Sequence, residues 1–368
     1  MSEPRTIVVK IGTSSITDAD GIIDRGAIEK FCADVAAARA AHHRVVVVTS
    51  GAIAAGLPEI GLGSDRRLVD TITLQAVATV GQSALMGVYR EAFATHGLVA
   101  GQVLLVPLDF IIRNQYVHAG QTLRRLLELG VVPIVNENDA IADDEIRWGD
   151  NDRIAALVAN LVDAQQLILL TDIAGVLTAD PRVDAAASLI EEIVEIDHQT
   201  EALAGGAGSA RGSGGMASKL TAAKIAAWSG VSSVIADAGR PDVVLDAVAE
   251  APGVGTVVRA RPARLPARKL WIAFAVVARG SVVVDPGARR ALERGSSLLA
   301  AGVRDIVGDF DAGAPVEVVD TDGEVFAKGL VRHTAKELRA AAGRRSEDLP
   351  AGAPHIVVHA DDLVTLPR

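Results

Sequence analysis

Two lysines pose the first chemical question. Lys10 closes the apolar run TIVVKI and leads into Gly12-Thr13-Ser14-Ser15, whereas Lys219 ends a glycine-rich stretch, GGAGSARGSGGMASK, that continues abruptly into a helical pattern. Glycine and hydroxyl residues let backbone N–H groups approach an anion, and glycines before a helix N-terminus form an anion site in which a lysine can follow a phosphoryl group's charge. A strand-end lysine also simply carries its ammonium into water, so neither lysine decides the matter alone. Polar clusters recur at comparable places: Thr49-Ser50-Gly51-Ala52, which serves equally as a tight turn; Asn136-Glu137-Asn138-Asp139; Gly149-Asp150-Asn151-Asp152; and Thr171-Asp172. Asp or Asn before a helix is first of all a cap, but one cap needs only one of Asp150, Asn151 and Asp152. Phosphoryl transfer asks for positive charge along the donor and acceptor oxygens more than for a base, and a carboxylate acceptor is already ionised at neutral pH. No Ser-His-Asp order, HExxH, CxxC or Walker A loop competes, and the G-x-G-x-x-A match at Gly212–Ala217 lacks the preceding strand a dinucleotide site requires.

The elements that must position these residues follow from periodicity. Short β-branched runs at Thr6–Ile11, Val45–Thr49, Val99–Val106, Val131–Val135, Leu167–Thr171 and Val234–Ala236 alternate with helical patterns at Arg25–Ala41, Leu74–Thr95, Gln115–Leu129, Arg153–Leu161, Met216–Trp228 and Pro241–Val248. Strand then helix, repeated, predicts right-handed crossovers onto a mostly parallel sheet, with ligands outside the carboxyl ends of the strands. The polar clusters fall at those ends. A composition of 49% hydrophobic residues with only 3% aromatics suits smooth aliphatic layers packed on such a sheet, so the fold class is α/β.

Segment Arg259–Lys269 (RARPARLPARK) combines prolines and basic residues without apolar periodicity and reads as a linker. The expected division is residues 1–260, a linker at 261–269, and a small mainly β domain at 270–368, whose strand-like pieces are Ser281–Val284, Val316–Val319 and Ile356–Val358. The formal net charge of -10 opposes non-specific attraction to a polyanion. Pro266–Arg368 carries 14 basic and 14 acidic residues with few aromatics, so nucleic acid is not an expected partner. No signal peptide and no apolar run long enough to span a bilayer is present, and the single Cys32 fits helix packing in a reducing cytoplasm.

The segments VVKIGTSSIT, VVVVTSGAIAAG, VGQSAL, PIVNENDAI, GDND, LLTDIAGVLTADPR and GSGGMASKL resemble, in that order, the motifs of the glutamate 5-kinase family. The resemblance covers nearly the whole chain. It implies an amino acid kinase-like αβα sandwich with a mostly parallel sheet, a PUA-like C-terminal domain, ATP with Mg²⁺ as donor, L-glutamate as acceptor and γ-glutamyl phosphate as product. By matching position, Lys10 and Lys219 would stabilise the moving phosphoryl group while Asp152 orients them. Ser50, Asn136, Asp139 and Asn151 would hold glutamate. Thr171, Asp172 and the turn Ser213, Gly214, Gly215, Met216, Ala217, Ser218 and Lys219 would contact the nucleotide, together with Lys10. GSVVVDPGA, GSSLLAAGV and GDFDAGAPVEV are similar to the PUA signature. The family further implies a homo-oligomer, dimer or tetramer, and feedback inhibition by proline. Two departures stand out: Leu74 where the family usually has lysine, and Tyr116-Val117-His118-Ala119-Gly120 in place of Tyr-Leu-Asn-Ala-Arg. The competing expectations are another carboxylate or carbamate kinase of the same fold, or an RNA-binding protein acting through the PUA-like domain.

Overall fold

A computed structural model describes residues 3–62, 70–110, 112–141, 151–180, 184, 186–203, 215–262, 264–274, 276–350 and 354–366. The chain divides into two compact units, residues 1–264 and 265–368.

In chain order the first unit contains β1 (Thr6–Ile11), α1 (Arg25–Ala40), β2 (Arg44–Val48), α2 (Ala52–Glu59), α3 (Thr71–Ala94), β3 (Ala100–Leu105), α4 (Arg113–Glu128), β4 (Val132–Glu137), α5 (Asn151–Leu161), β5 (Gln166–Thr171), β6 (Glu192–Ile193), α6 (His198–Leu203), α7 (Met216–Trp228), β7 (Ser232–Asp237), α8 (Val243–Val248) and β8 (Gly255–Val258). Its sheet runs β3-β4-β2-β1-β5-β7-β8-β6. Every pairing from β3 through β7 is parallel, and the direction reverses only between β7 and β8. Strand β1 is central and buried along its whole length. Ile7, Val9 and Ile11 face a core shared with α1, α3 and α8, whereas the alternating positions, such as Val8, Leu167 and Leu169, are buried on the side of α5 and α7. The result is the expected αβα sandwich.

Local chemistry fixes the helix starts. Asp24 and Asp70 accept from the N–H groups of Ala27 (3.1 Å) and Thr73 (3.0 Å), so α3 begins three residues before its apolar pattern does. The stretch after Ser50 is not a plain turn but α2, entered through Gly51 at φ +101°. α2 lies against α3 with backbones almost touching: a Cβ on Gly81 would sit 1.8 Å from the Ala52 carbonyl and 2.3 Å from the Gly56 nitrogen.

The second unit comprises α9 (Ala267–Phe274), β9 (Ser281–Val284), α10 (Pro286–Glu293), β10 (Leu298–Leu299), β11 (Val303–Val307), β12 (Pro315–Val319), β13 (Val325–Val331), α11 (Ala335–Ala341) and β14 (Ile356–Thr365). α9 starts inside the stretch expected to be linker, because the apolar residues Leu270, Trp271 and Ile272 are buried just beyond the basic residues. The six strands form one mainly antiparallel sheet, β10-β14-β13-β12-β9-β11, around its own aliphatic core. Arg289 there lies 4.7 Å over the Phe326 ring and pairs with Asp320 and Glu324, so this cation is engaged internally. Among the described residues, no helix of the chain is long and apolar enough to cross a membrane.

Candidate active site

The carboxyl ends of β1, β2, β4 and β5 lie along one edge of the sheet, and the N-terminal residues of α5 and α7 meet that edge. Two clusters form there, and consecutive residues of α5 separate them.

The first cluster is charged. Lys10 Nζ lies 2.6 Å from Asp152 Oδ1, and Lys219 Nζ lies 3.2 Å from Asp152 Oδ2. Ser218 Oγ is 2.8 Å from the same Oδ2 and 2.9 Å from the Gly215 carbonyl. Asp152 is fully buried and the two lysines are almost so. Burial alone would raise the Asp152 carboxyl, but the Lys10 and Lys219 charges and the hydrogen bonds from Lys10 and Ser218 outweigh it and hold the group well below the usual carboxylate range. Among the described residues two ammonium groups share this one carboxylate, an arrangement that suits an incoming anion. α7 begins at Gly215 without a side-chain cap, so its first turn presents N–H groups beside the lysines.

The second cluster is neutral. Asn151 Nδ2 donates to the Thr49 carbonyl and, at 2.6 Å, to Asn136 Oδ1. Asn136 Oδ1 also accepts from the Glu137 N–H at 2.9 Å, while its Nδ2 donates to Gln82 Oε1 at 2.7 Å. Thr49 Oγ1 lies 2.7 Å from the hydroxyl of buried Tyr89. Burial, partly offset by the Thr49 hydrogen bond, raises the Tyr89 phenol, so it stays neutral. Ser50 follows Thr49 half-buried, and Asp139 opens a short 3₁₀ turn after β4. Asp139 lines a cavity of about 540 Å³ with Gln82, Ser83, Arg90, Gln102 and Glu137.

Thr171 and Asp172 lie at the end of β5, the strand paired with β1. Thr171 ends β5 in register with Asp237 of β7, and its hydroxyl donates to the exposed Asp172 carboxylate at 3.2 Å. Of the glycine-rich turn, Gly215, Met216, Ala217, Ser218 and Lys219 start α7, whereas Ser213 and Gly214, like Gly149 and Asp150, lie outside the described residues. Sequence reasoning missed Gln82 and Tyr89. Gln82 lies within the segment VGQSAL but was given no role there, and the signal at Tyr89 was a polar tip on the apolar α3 face.

Comparison with known proteins agrees with this architecture. The amino acid kinase family profile matches residues 5–237, and that of the PUA domain matches residues 280–352. A glutamate 5-kinase of Myxococcus xanthus is 46% identical, covering 98% of this chain and 96% of its own, and one of an Azoarcus species is 44% identical, covering 98% and 97%. The chain belongs to the amino acid kinase family, in its glutamate 5-kinase branch. The solved structure of carbamate kinase from Giardia lamblia bound to AMP-PNP shares the family fold at a TM-score of 0.51 and 16% identity, covering 71% of this chain and all of its own. The charged pocket and the amide cluster lie at the carboxyl ends of the parallel strands, the edge at which open α/β sheets generally bind ligands.

Proposed function

We propose that the chain transfers the γ-phosphoryl group of ATP to the γ-carboxylate of L-glutamate, giving L-glutamyl 5-phosphate and ADP, the opening step of proline biosynthesis. The observation that carries this is the buried Lys10–Asp152–Lys219 cluster, with two ammonium groups held on one carboxylate. A γ-carboxylate oxygen attacks the γ-phosphorus, one P–O bond forms and the bond to the ADP oxygen breaks. No general base is required, because a glutamate side chain near pH 7 is ionised, with an ordinary pKa of about 4.3. Lys10 and Lys219 meet the charge that spreads over the transferring group, and Asp152 keeps both in place before the reaction begins.

The acceptor binds on the neutral side. Both hydrogens of Asn151 Nδ2 and both lone pairs of Asn136 Oδ1 are engaged internally, which leaves Asn151 Oδ1 to accept and one Asn136 N–H to donate. These suit the α-ammonium and α-carboxylate of an amino acid. Asp139 adds a carboxylate for the ammonium, and Ser50 a hydroxyl. Thr171, Asp172 and the first turn of α7, with the Ser213–Gly214 approach, take the nucleotide. Mg²⁺ fits as a companion of the phosphates rather than in a protein cage: the described residues contain no group of three His, Cys, Asp or Glu able to hold a metal ion. When bound, it neutralises phosphate charge. A cytoplasmic setting suits the buried free thiol of Cys32, while a homo-oligomer and proline inhibition rest on the family resemblance.

Incubation with ATP and a panel of amino acids, with hydroxylamine to trap the acyl phosphate, tests the assignment. L-Glutamate should give far more hydroxamate than aspartate or N-acetylglutamate, and equal yields would refute it.

A further inference from the structure

The amide groups of the acceptor cluster have a defined polarity, because backbone groups anchor it at two places. The Thr49 carbonyl can only accept, so the Asn151 nitrogen must face it; the Glu137 N–H can only donate, so the Asn136 oxygen must face that. The Asn136 nitrogen is thereby turned toward α3, where Gln82 Oε1 receives it at 2.7 Å. Gln82 is 7% exposed, and its own nitrogen donates onward to Gln102 Oε1 at 3.2 Å on the edge strand β3.

We infer that Gln82 is a positioning residue of the acceptor site, which holds the Asn136 amide with one N–H toward the substrate and the Asn136 oxygen toward Asn151. The inference rests on glutamate being the acceptor. Gln82 works through Asn136 and not on the reacting atoms. Without its oxygen, one buried N–H of Asn136 loses its partner, and the amide can satisfy that hydrogen only by turning away from the geometry that receives glutamate. The charged cluster is built on a different residue of α5, Asp152, so the lysines and ATP should not register the loss.

The test uses the full chain, with the hydroxamate assay and a thermal melt. Gln82→Leu should raise KM for glutamate roughly 5- to 30-fold, as expected for one or two kcal/mol, and leave KM for ATP within about twofold. In an Asn136→Ala background the same substitution should change KM for glutamate by less than about twofold, because the residue it acts through is gone. Equal effects in the two backgrounds, or parallel rises in both KM values, would mean that Gln82 merely packs α3, and would overturn the inference while wild-type activity upheld the glutamate assignment. A wild type that forms no hydroxamate from glutamate overturns both. If Gln82→Leu does not fold, Gln82→Glu decides. It keeps an oxygen for the Asn136 N–H, and the exposed Gln102 can turn its nitrogen toward the new carboxylate. KM for glutamate within about threefold of wild type supports the inference, and a rise above about tenfold overturns it.

Discussion

Asn151 and Asp152 are neighbours in the first turn of α5, yet they face opposite kinds of chemistry. Asp152 meets the ammonium groups of Lys10 and Lys219 and the Ser218 hydroxyl, whereas Asn151 meets the Asn136 amide and the Thr49 backbone carbonyl. The charged pocket sets two ammonium groups on one carboxylate, and their charge would matter most when negative charge is spread over a phosphoryl group in flight. The neutral pocket stores orientation. Its hydrogen bonds are individually modest, but they define which end of each amide a ligand meets. One turn of helix thus joins the pocket proposed to set the rate to the one proposed to set specificity.

The largest effect should come from Asp152, which holds the charged pocket together. Asp152→Asn leaves two buried ammonium groups without a counter-charge, and should cost about 3–5 kcal/mol of stability as well as activity, read by denaturant unfolding and steady-state kinetics. The sign of its pH dependence is set. A carboxyl depressed in the folded state contributes stability that is fully present above its unfolded pKa, about 3.9, and is lost as pH falls from there toward the folded value. The stability gap between wild type and Asp152→Asn should therefore be constant from pH 7 to about 5 and shrink below about 4. A gap unchanged at low pH would break the assignment of the shift to Asp152.

Next in size, Lys219→Ala and Lys10→Ala should each lower kcat roughly 10²- to 10³-fold with a much smaller rise in KM for glutamate. The double variant should lose less than the product of the two, since both lysines serve one transition state. Normal turnover in a folded Lys219→Ala protein would remove the charged pocket from the reaction.

Asp139→Ala sharpens the comparison from the other side. It should raise KM for glutamate roughly 10- to 100-fold, the range for a charge-assisted hydrogen bond, and leave ATP binding nearly unchanged. A selective loss of ATP binding would place Asp139 in the wrong pocket.

The smallest effect should follow truncation after Arg264. Every residue assigned to either pocket lies at or before Lys219, and residues 265–368 have a core of their own. Soluble, cooperatively melting protein should keep KM values for both substrates within about threefold. Protein that binds both substrates and transfers nothing would mean that the C-terminal unit supplies part of the site.

The charged pocket was the more legible of the two in the sequence. Lys10 ends a strongly patterned strand and Lys219 begins a strongly patterned helix, so residue logic pointed to both, whereas Asp152 was singled out from its polar neighbours by the family resemblance. The parallel strands were equally plain as β-branched runs, ending within a residue or two of their observed limits. α2 was obscured because AIAAGLPE mixes alanine with Gly56 and Pro58, and only the close approach of Gly81 shows why glycine is needed there. β8 was too short to stand out, and its reversal of direction is a tertiary fact. The roles of Gln82, although it lies within VGQSAL, and of Tyr89 were illegible for a different reason: a polar group on an apolar helix face acquires a partner only when α3 is laid across the ends of β2 and β4.

The central claim is that a γ-carboxylate oxygen of glutamate becomes bonded to phosphorus, and oxygen labelling tests it directly. Glutamate carrying ¹⁸O in both γ-carboxylate positions is incubated with ATP and hydroxylamine, which attacks the acyl carbon and expels phosphate. Phosphate released with one ¹⁸O atom, and hydroxamate retaining the other, is the predicted result; phosphate without label while ATP is consumed would contradict it.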